Sequence, residues 1–255
     1  MRRLGLLPLG VTYAFLYTPV VVLVVMSFNR SDSPYEWSGF STGWYSTLAR
    51  DDEVLRGLAN TLVVAAGATA LSTVLGTLLA VGLARHGSRS RLLHALSVMP
   101  AVLPDIVLAI GLLTFYSFAS ATHGLHSVLL AHTVFGLAFV TAVVGARIAH
   151  LDPSLEEASR DLGAGPVATF LRVTLPALAP EIVAGALLVF TLSLDEFVIA
   201  FFTAGPKDPT LPIVVYSMIR FGVTPEINAL ATLLLAVSFT AVIAAQRVSR
   251  LVEAL

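Results

Sequence analysis

Six long apolar stretches recur along the chain, and short segments rich in charged or turn-forming residues separate them. Each stretch exceeds or approaches the roughly 20 residues that a helix needs to cross about 30 Å of hydrocarbon. Residues such as Leu187–Leu194 do not alternate between apolar and polar, as the strands of a membrane barrel would. The pattern therefore predicts an all-α integral membrane protein with six transmembrane helices. The predicted spans are Leu6–Phe28, Gly57–Ala84, Leu92–Ala119, Ser127–Ala146, Leu178–Thr203 and Ile227–Gln246.

Composition supports a membrane protein and excludes several kinds of site. Only 12% of the 255 residues are charged, whereas soluble domains carry roughly 25%. The absence of cysteine excludes a disulfide scaffold, a zinc–thiolate site and a cysteine nucleophile. The net charge of −1 argues against nucleic-acid binding. The sequence has no phosphate-binding loop and no metal-ligand spacing. We therefore expect that this chain has no catalytic residue and that it binds no metal or cofactor.

The distribution of basic residues predicts the orientation of the chain. Ten of the 15 basic residues fall at the termini or on alternate connections: Arg2, Arg3, Arg85, Arg89, Arg91, Arg147, Arg160, Arg172, Arg247 and Arg250. The positive-inside rule places these connections and both termini in the cytoplasm. A cleaved signal peptide is the alternative for the first stretch, but the run is too long and Met26–Arg30 offers no cleavage pattern.

The segment Asn29–Arg56 is a long loop on the predicted outside, and it is rich in aromatic residues such as Trp37 and Trp44. Tryptophan and tyrosine favour the membrane interface, so an aromatic belt is one interpretation. A docking surface for an external partner is the other. The sequence leaves both open.

The inside segment Arg147–Ala177 is patterned for structure of its own. Asp152-Pro153 places a capping acid before a proline that suits the first helical turn. The run Ser154–Glu157 fits a capping box, in which the glutamate reaches back to the serine amide. Gly163 is suited to the left-handed position that ends a helix. We therefore predict a short helix before Gly163 and a second over Val167–Val173.

This segment resembles the EAA loop of permeases in ATP-binding-cassette importers. Glu157-Ala158-Ser159 is followed by three residues, Gly163, nine residues, Val173, one residue and Leu175-Pro176. Ser159 replaces the second alanine of the motif, and we expect its hydroxyl to alter how tightly the helix packs in the socket that receives it. The resemblance implies a coupling role for Glu157, Ala158, Ser159, Asp161, Gly163, Leu175 and Pro176.

The resemblance extends over nearly the whole chain to the spermidine/putrescine permeases. The segments that carry it are Tyr17–Pro19, Ser27–Asn29, Trp44-Tyr45, Thr191–Phe197, Gly205-Pro206, Leu211-Pro212, Tyr216–Met218 and Pro225–Thr232. It implies a type I importer permease of the bacterial inner membrane, with residues 1–255 as one transmembrane domain. The implied partners are a homologous second permease, two ATPase subunits that bind ATP and Mg²⁺, and an external substrate-binding protein.

Three acidic residues, Asp105, Asp195 and Glu196, lie well within predicted spans, where no lysine or arginine of the same span can pair with them. A charged group there costs at least about 2.5–3.5 kcal/mol. Its partner is a cationic substrate, a residue of another subunit or a proton, unless the carboxyl serves helix packing. Pro104 is expected to kink or break the third span beside Asp105.

We assign the three acids to a substrate pathway. As neighbours on a helix, Asp195 and Glu196 diverge by about 100°, so one is expected to face the route and the other the partner permease. Phe197, Tyr116 and Tyr216 are candidate cation–π faces for an amine.

These features favour an importer of putrescine or spermidine. Another small amine-bearing solute, such as an amino acid derivative or an aminophosphonate, is the alternative within the same class. A secondary carrier or channel would also use intramembrane acids, but the chain has no evident internal repeat. A membrane scaffold has no need for pathway acids.

Overall fold

The computed structural model describes residues 6–33, 35–86, 91–220, 222 and 224–252. Within these residues the regular structure is helical, and an isolated antiparallel bridge joins Asn29 to Phe40. The helices are α1 (Leu6–Met26), α2 (Gly43–Leu48), α3 (Asp52–His86), α4 (Arg91–Val102), α5 (Asp105–Phe118), α6 (Leu125–Ile148), α7 (Ser154–Asp161), α8 (Pro166–Thr169), α9 (Leu175–Asp195), α10 (Val198–Thr203), α11 (Leu211–Arg220) and α12 (Pro225–Val252).

Four helical stretches are long and apolar enough to cross a membrane: Pro8–Met26, Asp52–Arg85, Leu125–Ile148 and Pro166–Asp195. A fifth span is completed if the bent pair Leu92–Val102 and Asp105–Phe118 is counted as one. The sixth predicted span falls in α12, whose apolar part Pro225–Thr240 is shorter. The all-α membrane fold is thus confirmed, and the sixth span stays a prediction. Arg2, Arg3 and Arg89, which support the predicted orientation, lie outside the described residues.

The third span breaks where Pro104 predicts it. Helix α4 ends at Val102, and α5 begins at Asp105 with its axis turned by 111°. Proline disfavours the helical conformation in the residue before it, which here is Leu103. The carbonyl of Pro104 accepts the amide of Leu108 at 3.2 Å and starts the new helix. Asp105 is therefore the first residue of a helix.

The fifth span differs from its predicted bounds of Leu178–Thr203. The predicted second short helix is α8, which runs through a π-helical segment, Phe170–Thr174, directly into α9. Pro176 lacks an amide hydrogen and would clash with a carbonyl one turn earlier in a regular α-helix. The wider π turn accommodates this proline without a break. At the other end α9 stops at Asp195, and α10 is a separate helix.

The protein divides into two compact units. In the larger unit, Arg56–Ile213, helix α6 is the most buried helix and packs against α9. Small residues permit close approach: a Cβ at Gly136 would lie 2.6 Å from both Ser72 Oγ and Val189 Cγ1. A Cβ at Gly76 would lie 2.8 Å from that of Val140. Glycine at these contacts is typical of helix packing in membranes.

The smaller unit contains residues 1–55 and 214–255, in which α12 packs against α1 and α2. The first part of the predicted outside loop is ordered around the buried side chain of Asn29. Its Nδ2 donates to the carbonyl of Glu36 at 2.7 Å, and its Oδ1 accepts the amide of Ser38 at 3.0 Å. Trp44 Nε1 donates to the Asn29 carbonyl at 2.8 Å. The side chain of Tyr35, in the same segment, is 90% exposed.

Candidate functional site

The 147–177 loop begins its first helix as the capping acid predicts. Asp152 Oδ1 accepts the amide of Ser154 at 2.9 Å, and this contact is the main reason that the pKa of Asp152 is lowered. The predicted capping box is wrong, because Asp152 already satisfies the amide that Glu157 was expected to reach. Ser154 is instead the first residue of α7.

Helix α7 ends at Asp161, and Gly163 follows its C-cap Leu162 as predicted. Gly163 has φ +86°, in the left-handed region that glycine adopts without strain. The amide of Gly163 donates to the Arg160 carbonyl at 2.9 Å, and the amide of Ala164 donates to the Ser159 carbonyl at 3.1 Å. These two bonds form a Schellman motif, which satisfies the last carbonyls of the helix and turns the chain sharply.

Glu156 joins three parts of the protein. Its Oε1 accepts the Thr174 hydroxyl at 2.6 Å and lies 3.0 Å from an Arg85 guanidinium nitrogen. Its Oε2 lies 3.2 Å from Arg160, one turn along α7. These contacts lower the pKa of Glu156, with the Thr174 hydrogen bond as the largest cause, so the carboxylate stays charged. Helix α7 is thereby tied to the end of α3 and to the π segment.

Ser159, the departure from the EAA pattern, makes a second tie. Its hydroxyl lies 3.1 Å from that of Thr169, which is buried in α8. An alanine here would leave that contact unmade. This contact lies within the chain, so the expected effect of Ser159 on packing in the socket stays a prediction.

The other residues assigned to coupling lie mostly on the surface. Glu157, Ala158 and Asp161 are exposed on α7, and neighbouring Leu162 is 89% exposed. Leu175 is half-buried and Pro176 is exposed, both in the first turn of α9. The loop therefore presents an outward face that combines acids and apolar groups.

The intramembrane acids lie at helix ends rather than along one helix. Helix α9 stops at Asp195, and Glu196 has extended backbone with ψ 105°. The Glu196 carboxylate accepts the amide of Ile199 at 2.9 Å and so caps the start of α10. The expectation that Asp195 and Glu196 diverge by 100° along a continuous helix is wrong for this reason.

Asp105 approaches the same break from another element. Helix α10 packs on α5 through a core that includes Ala109 and Ile199. Asp105 is the first residue of α5, the helix against which α10 packs. No salt bridge to these three acids occurs among the described residues. Helix N-termini favour negative charge, which partly offsets the missing cations at Asp105 and Glu196.

The aromatic candidates divide into packed and accessible rings. Tyr116 is 6% exposed and donates to the Ser127 carbonyl at 3.0 Å, so its ring serves packing. Phe197 lies beside the acids and contacts Phe201 with ring centroids 5.4 Å apart. Tyr216, on α11, is 46% exposed.

Sequence reasoning missed two sets of polar contacts between helices. The first is the set around Glu156, which links residues 71 and 18 positions away along the chain. The second joins His132 Nδ1 to Ser193 Oγ at 2.7 Å between α6 and α9, with both residues almost fully buried. The acid beside the EAA residues did not identify its partners, and a lone histidine in a span gave no signal for the second.

Helices long and apolar enough to cross a membrane, a structured loop whose first helix is followed by a left-handed glycine, and acids at a helix break fit a permease of the importer type. The comparisons with known proteins agree. Residues 72–254 match the family described as "Binding-protein-dependent transport system inner membrane component". The chain belongs to this family, and it is a multi-pass inner membrane permease subunit of an ATP-binding-cassette importer.

Two curated relatives confirm the resemblance to the polyamine permeases. The chain is 44% identical over 242 residues to the putrescine transport system permease protein PotI of Escherichia coli (strain K12), covering 91% of this chain and 85% of the relative. It is 39% identical over 239 residues to the spermidine/putrescine transport system permease protein PotC of the same strain, covering 93% and 90%.

Solved structures share the fold at lower identity. A bacterial ABC transporter involved in the import of the acidic polysaccharide alginate superposes with a TM-score of 0.78 and 17% identity, covering 97% of this chain and 94% of that one. The MetNI methionine ABC transporter in inward-facing form gives a TM-score of 0.65 and 22% identity, covering 83% and 98%. The type I importer permease architecture is thus confirmed.

Proposed function

We propose that this permease carries putrescine or spermidine into the cell. The observation that carries the proposal is the set of three acids, Asp105, Asp195 and Glu196, at the meeting point of two interrupted helices. None has a salt-bridge partner among the described residues. An alkyl polyamine carries several protonated amines along its chain, so it supplies the positive partners that these carboxylates lack. Relatives at 44% and 39% identity are named for these substrates.

The proposed assembly pairs this chain with a homologous permease, two ATPase subunits and an external binding protein. The ATPase subunits bind ATP with Mg²⁺ and hydrolyse it, while this chain binds no nucleotide. The 147–177 loop and both termini face the cytoplasm, in keeping with the positive-inside rule. The binding protein delivers its cargo on the other side of the membrane.

Transport in this scheme follows alternating access. Closure of the ATPase pair on ATP moves α7, whose exposed face rests in a groove of the ATPase. The movement reaches the spans through the ends of α3 and α9 and opens the route on one side at a time. Asp195, which is exposed on this chain, receives the cationic cargo during the outward-open state. Binding there must be weak, because a tightly held cargo would not leave.

The coupling assignment is tested with a pair of glycine variants in the complete importer. Gly163→Ala forces an L residue to φ +86°, whereas Gly165 in the same loop has φ −72°, and both positions have open space for a Cβ. The strain at Gly163 is about 1–2 kcal/mol. We expect retained ATPase to fall roughly five- to thirty-fold in Gly163→Ala and to stay unchanged in Gly165→Ala. Equal retention in both would contradict the assignment.

The substrate is tested by uptake into proteoliposomes that hold the complete importer and ATP. We expect labelled putrescine or spermidine to accumulate and Asp195→Asn to reduce the rate. If an amino acid derivative or an aminophosphonate accumulates while polyamines do not, the alternative amine-bearing cargo is correct. Accumulation without ATP, driven by a proton gradient, would instead identify a secondary carrier.

A further inference from the structure

We infer that Glu156 is the joint through which movement of α7 reaches the membrane spans, and that Arg85 and Thr174 are the two parts it holds. It is therefore a positioning residue for transport, separate from the residues that touch the ATPase. The inference rests on the proposed coupling role of the 147–177 loop.

Glu156 lies on the inward side of α7, opposite the exposed face. Its side chain is 19% exposed, whereas Glu157, Ala158 and Asp161 are exposed. A partner that grips the outer face of α7 leaves this carboxylate on the permease side. Its contacts are therefore available to pass force inward rather than to bind the ATPase.

The two cross-links of Glu156 reach different spans. Arg85 lies in the last turn of α3, so the 3.0 Å ion pair ties α7 to the second predicted span. Thr174, only 3% exposed, lies in the π segment that continues into α9, so the 2.6 Å hydrogen bond ties α7 to the fifth. One oxygen, Oε1, makes both contacts. A displacement of α7 by one partner therefore acts on α3 and α9 together.

The surroundings of the joint allow it to move. A cavity of about 240 Å³ lies beside Glu156, lined by apolar groups such as Val81 and Ile148 together with Asp152 and Thr174. A close-packed interior would resist rotation of the carboxylate. The cavity gives the ends of α3 and α7 room to shift relative to one another while the polar contacts persist.

The ion pair within α7 supplies a matched control. Arg160 contacts the same carboxylate at 3.2 Å, but it lies on the same helix at the i+4 position and its side chain is 58% exposed. Exposed pairs of this kind contribute little. Arg160→Gln therefore removes one charge from Glu156 without cutting a link to another helix.

The test measures uptake per ATP hydrolysed in the complete importer reconstituted with its partner permease, ATPase and binding protein. The variants are Glu156→Gln, Arg85→Gln and Thr174→Val, with Arg160→Gln and Thr174→Ser as controls. We expect the ATPase to remain bound in all five. Uptake per ATP should fall between about two- and thirty-fold in the first three, which is the usual range for residues that carry coupling, and stay unchanged in the controls.

A double variant tests whether Glu156 and Arg85 act as one unit. Once Glu156→Gln is made, adding Arg85→Gln should lower uptake per ATP little further, because Glu156→Gln already removes the carboxylate charge of the ion pair. Independent effects that multiply would overturn the joint role. So would an unchanged uptake per ATP in Glu156→Gln.

The remaining outcomes also decide the matter. Loss of bound ATPase in Glu156→Gln, with wild-type retention intact, would place this residue in the docking surface and overturn the inference. If Thr174→Val fails to insert while Thr174→Ser transports normally, the hydroxyl serves folding and the inference is again overturned. If the wild-type chain retains no ATPase at all, the proposed function itself fails.

Discussion

Carboxylates serve three different purposes in this protein, and the surroundings of each decide which. Asp152 is exposed and caps a short helix. Glu156 is mostly covered and balances two guanidinium groups and a hydroxyl. Glu196 caps a helix that begins inside a predicted span. Residue type alone would assign the same role to all three.

The lowered pKa of Glu156 gives a prediction about acid. Because the folded pKa lies below that of a free glutamate, the contacts of this carboxylate contribute fully above the ordinary pKa and are lost only as pH falls through the folded value. The attachment of α7 should therefore persist at pH values where a free glutamate is already protonated.

This prediction is measured by titrating the labelled side-chain carboxyl carbon of Glu156 by NMR in nanodiscs. Thr174 is the largest cause of the shift, so Thr174→Val should raise the pKa of Glu156. Thr174→Ser, which keeps the hydroxyl, should leave it close to wild type. A titration that does not respond to Thr174→Val would show that this hydrogen bond is not the cause.

Local signals at single residues were read correctly where one residue fixes the backbone. Gly163 takes a positive φ that few other residues adopt, and Asp152 precedes a proline that starts a helix. The contacts of Glu156 and His132 were not predictable, because each joins residues from separate helices. Their partners depend on which helices become neighbours, and no local rule of sequence contains that information.

Prolines have different effects on the helices in or beside which they lie. Pro100 and Pro180 lie inside α4 and α9 without ending them. Pro104 separates α4 from α5, and Pro176 follows a π turn. A proline therefore marks a missing hydrogen bond, and the neighbouring packing decides whether the helix bends, widens or stops.

Replacing Pro104 tests whether the proline sets the break in the third span. Spin labels at Leu92 and Phe118, both exposed, should lie roughly 20 Å apart across the 111° bend and roughly 39 Å apart in one straight helix. Pro104→Ala frees Leu103 to become helical and should populate the longer distance, as measured by double electron–electron resonance.

Pro100→Ala is the control for this experiment, since Pro100 lies within α4 and its removal leaves the break in place. It should keep the shorter distance. If Pro104→Ala also keeps it, tertiary packing rather than proline holds the bend.

The helix breaks at Pro104 and after Asp195 differ in how well the sequence predicts them. Pro104 is a recognisable signal, and the break in the third span was predicted. No proline or glycine lies at the break after Asp195. There the side chain of Glu196 accepts the amide of Ile199 and so starts a new helix. The sequence therefore predicted that this region is helical, but it did not predict where α9 ends.

At the scale of the whole molecule, sparse charge is divided between edges and interior. Basic residues mark one side of the predicted spans, and the three intramembrane acids meet where two helices are interrupted. The order of the helices and the all-α membrane class follow from hydropathy, since a long apolar stretch that crosses the membrane must form a helix. The relation between spans far apart in sequence required the structure.

The predicted orientation is checked with truncation fusions to two reporters. Alkaline phosphatase, which works only outside the cytoplasm, should be active after Phe40, Thr122 and Lys207. Green fluorescent protein should fluoresce after Ala164 and Leu255. The physical reason is the excess of arginine on the connections assigned to the cytoplasm.

A matched pair decides the sixth span, because the positions after Lys207 and Leu255 flank it. Opposite reporter activity at these two positions requires an odd number of crossings between them. The same activity at both would contradict six spans and leave α12 on one side of the membrane.

The close glycine contacts around α6 have a consequence for the genetics of this importer. A methyl group at Gly76 or Gly136 would meet heavy atoms at 2.6–2.9 Å, a separation that requires the helices to move apart. In a survey that measures growth on an imported nutrient, Gly136→Ala will rank beside substitutions that abolish cargo recognition. Protein abundance in the membrane separates the two classes, because a packing variant is degraded whereas a recognition variant accumulates as an idle protein.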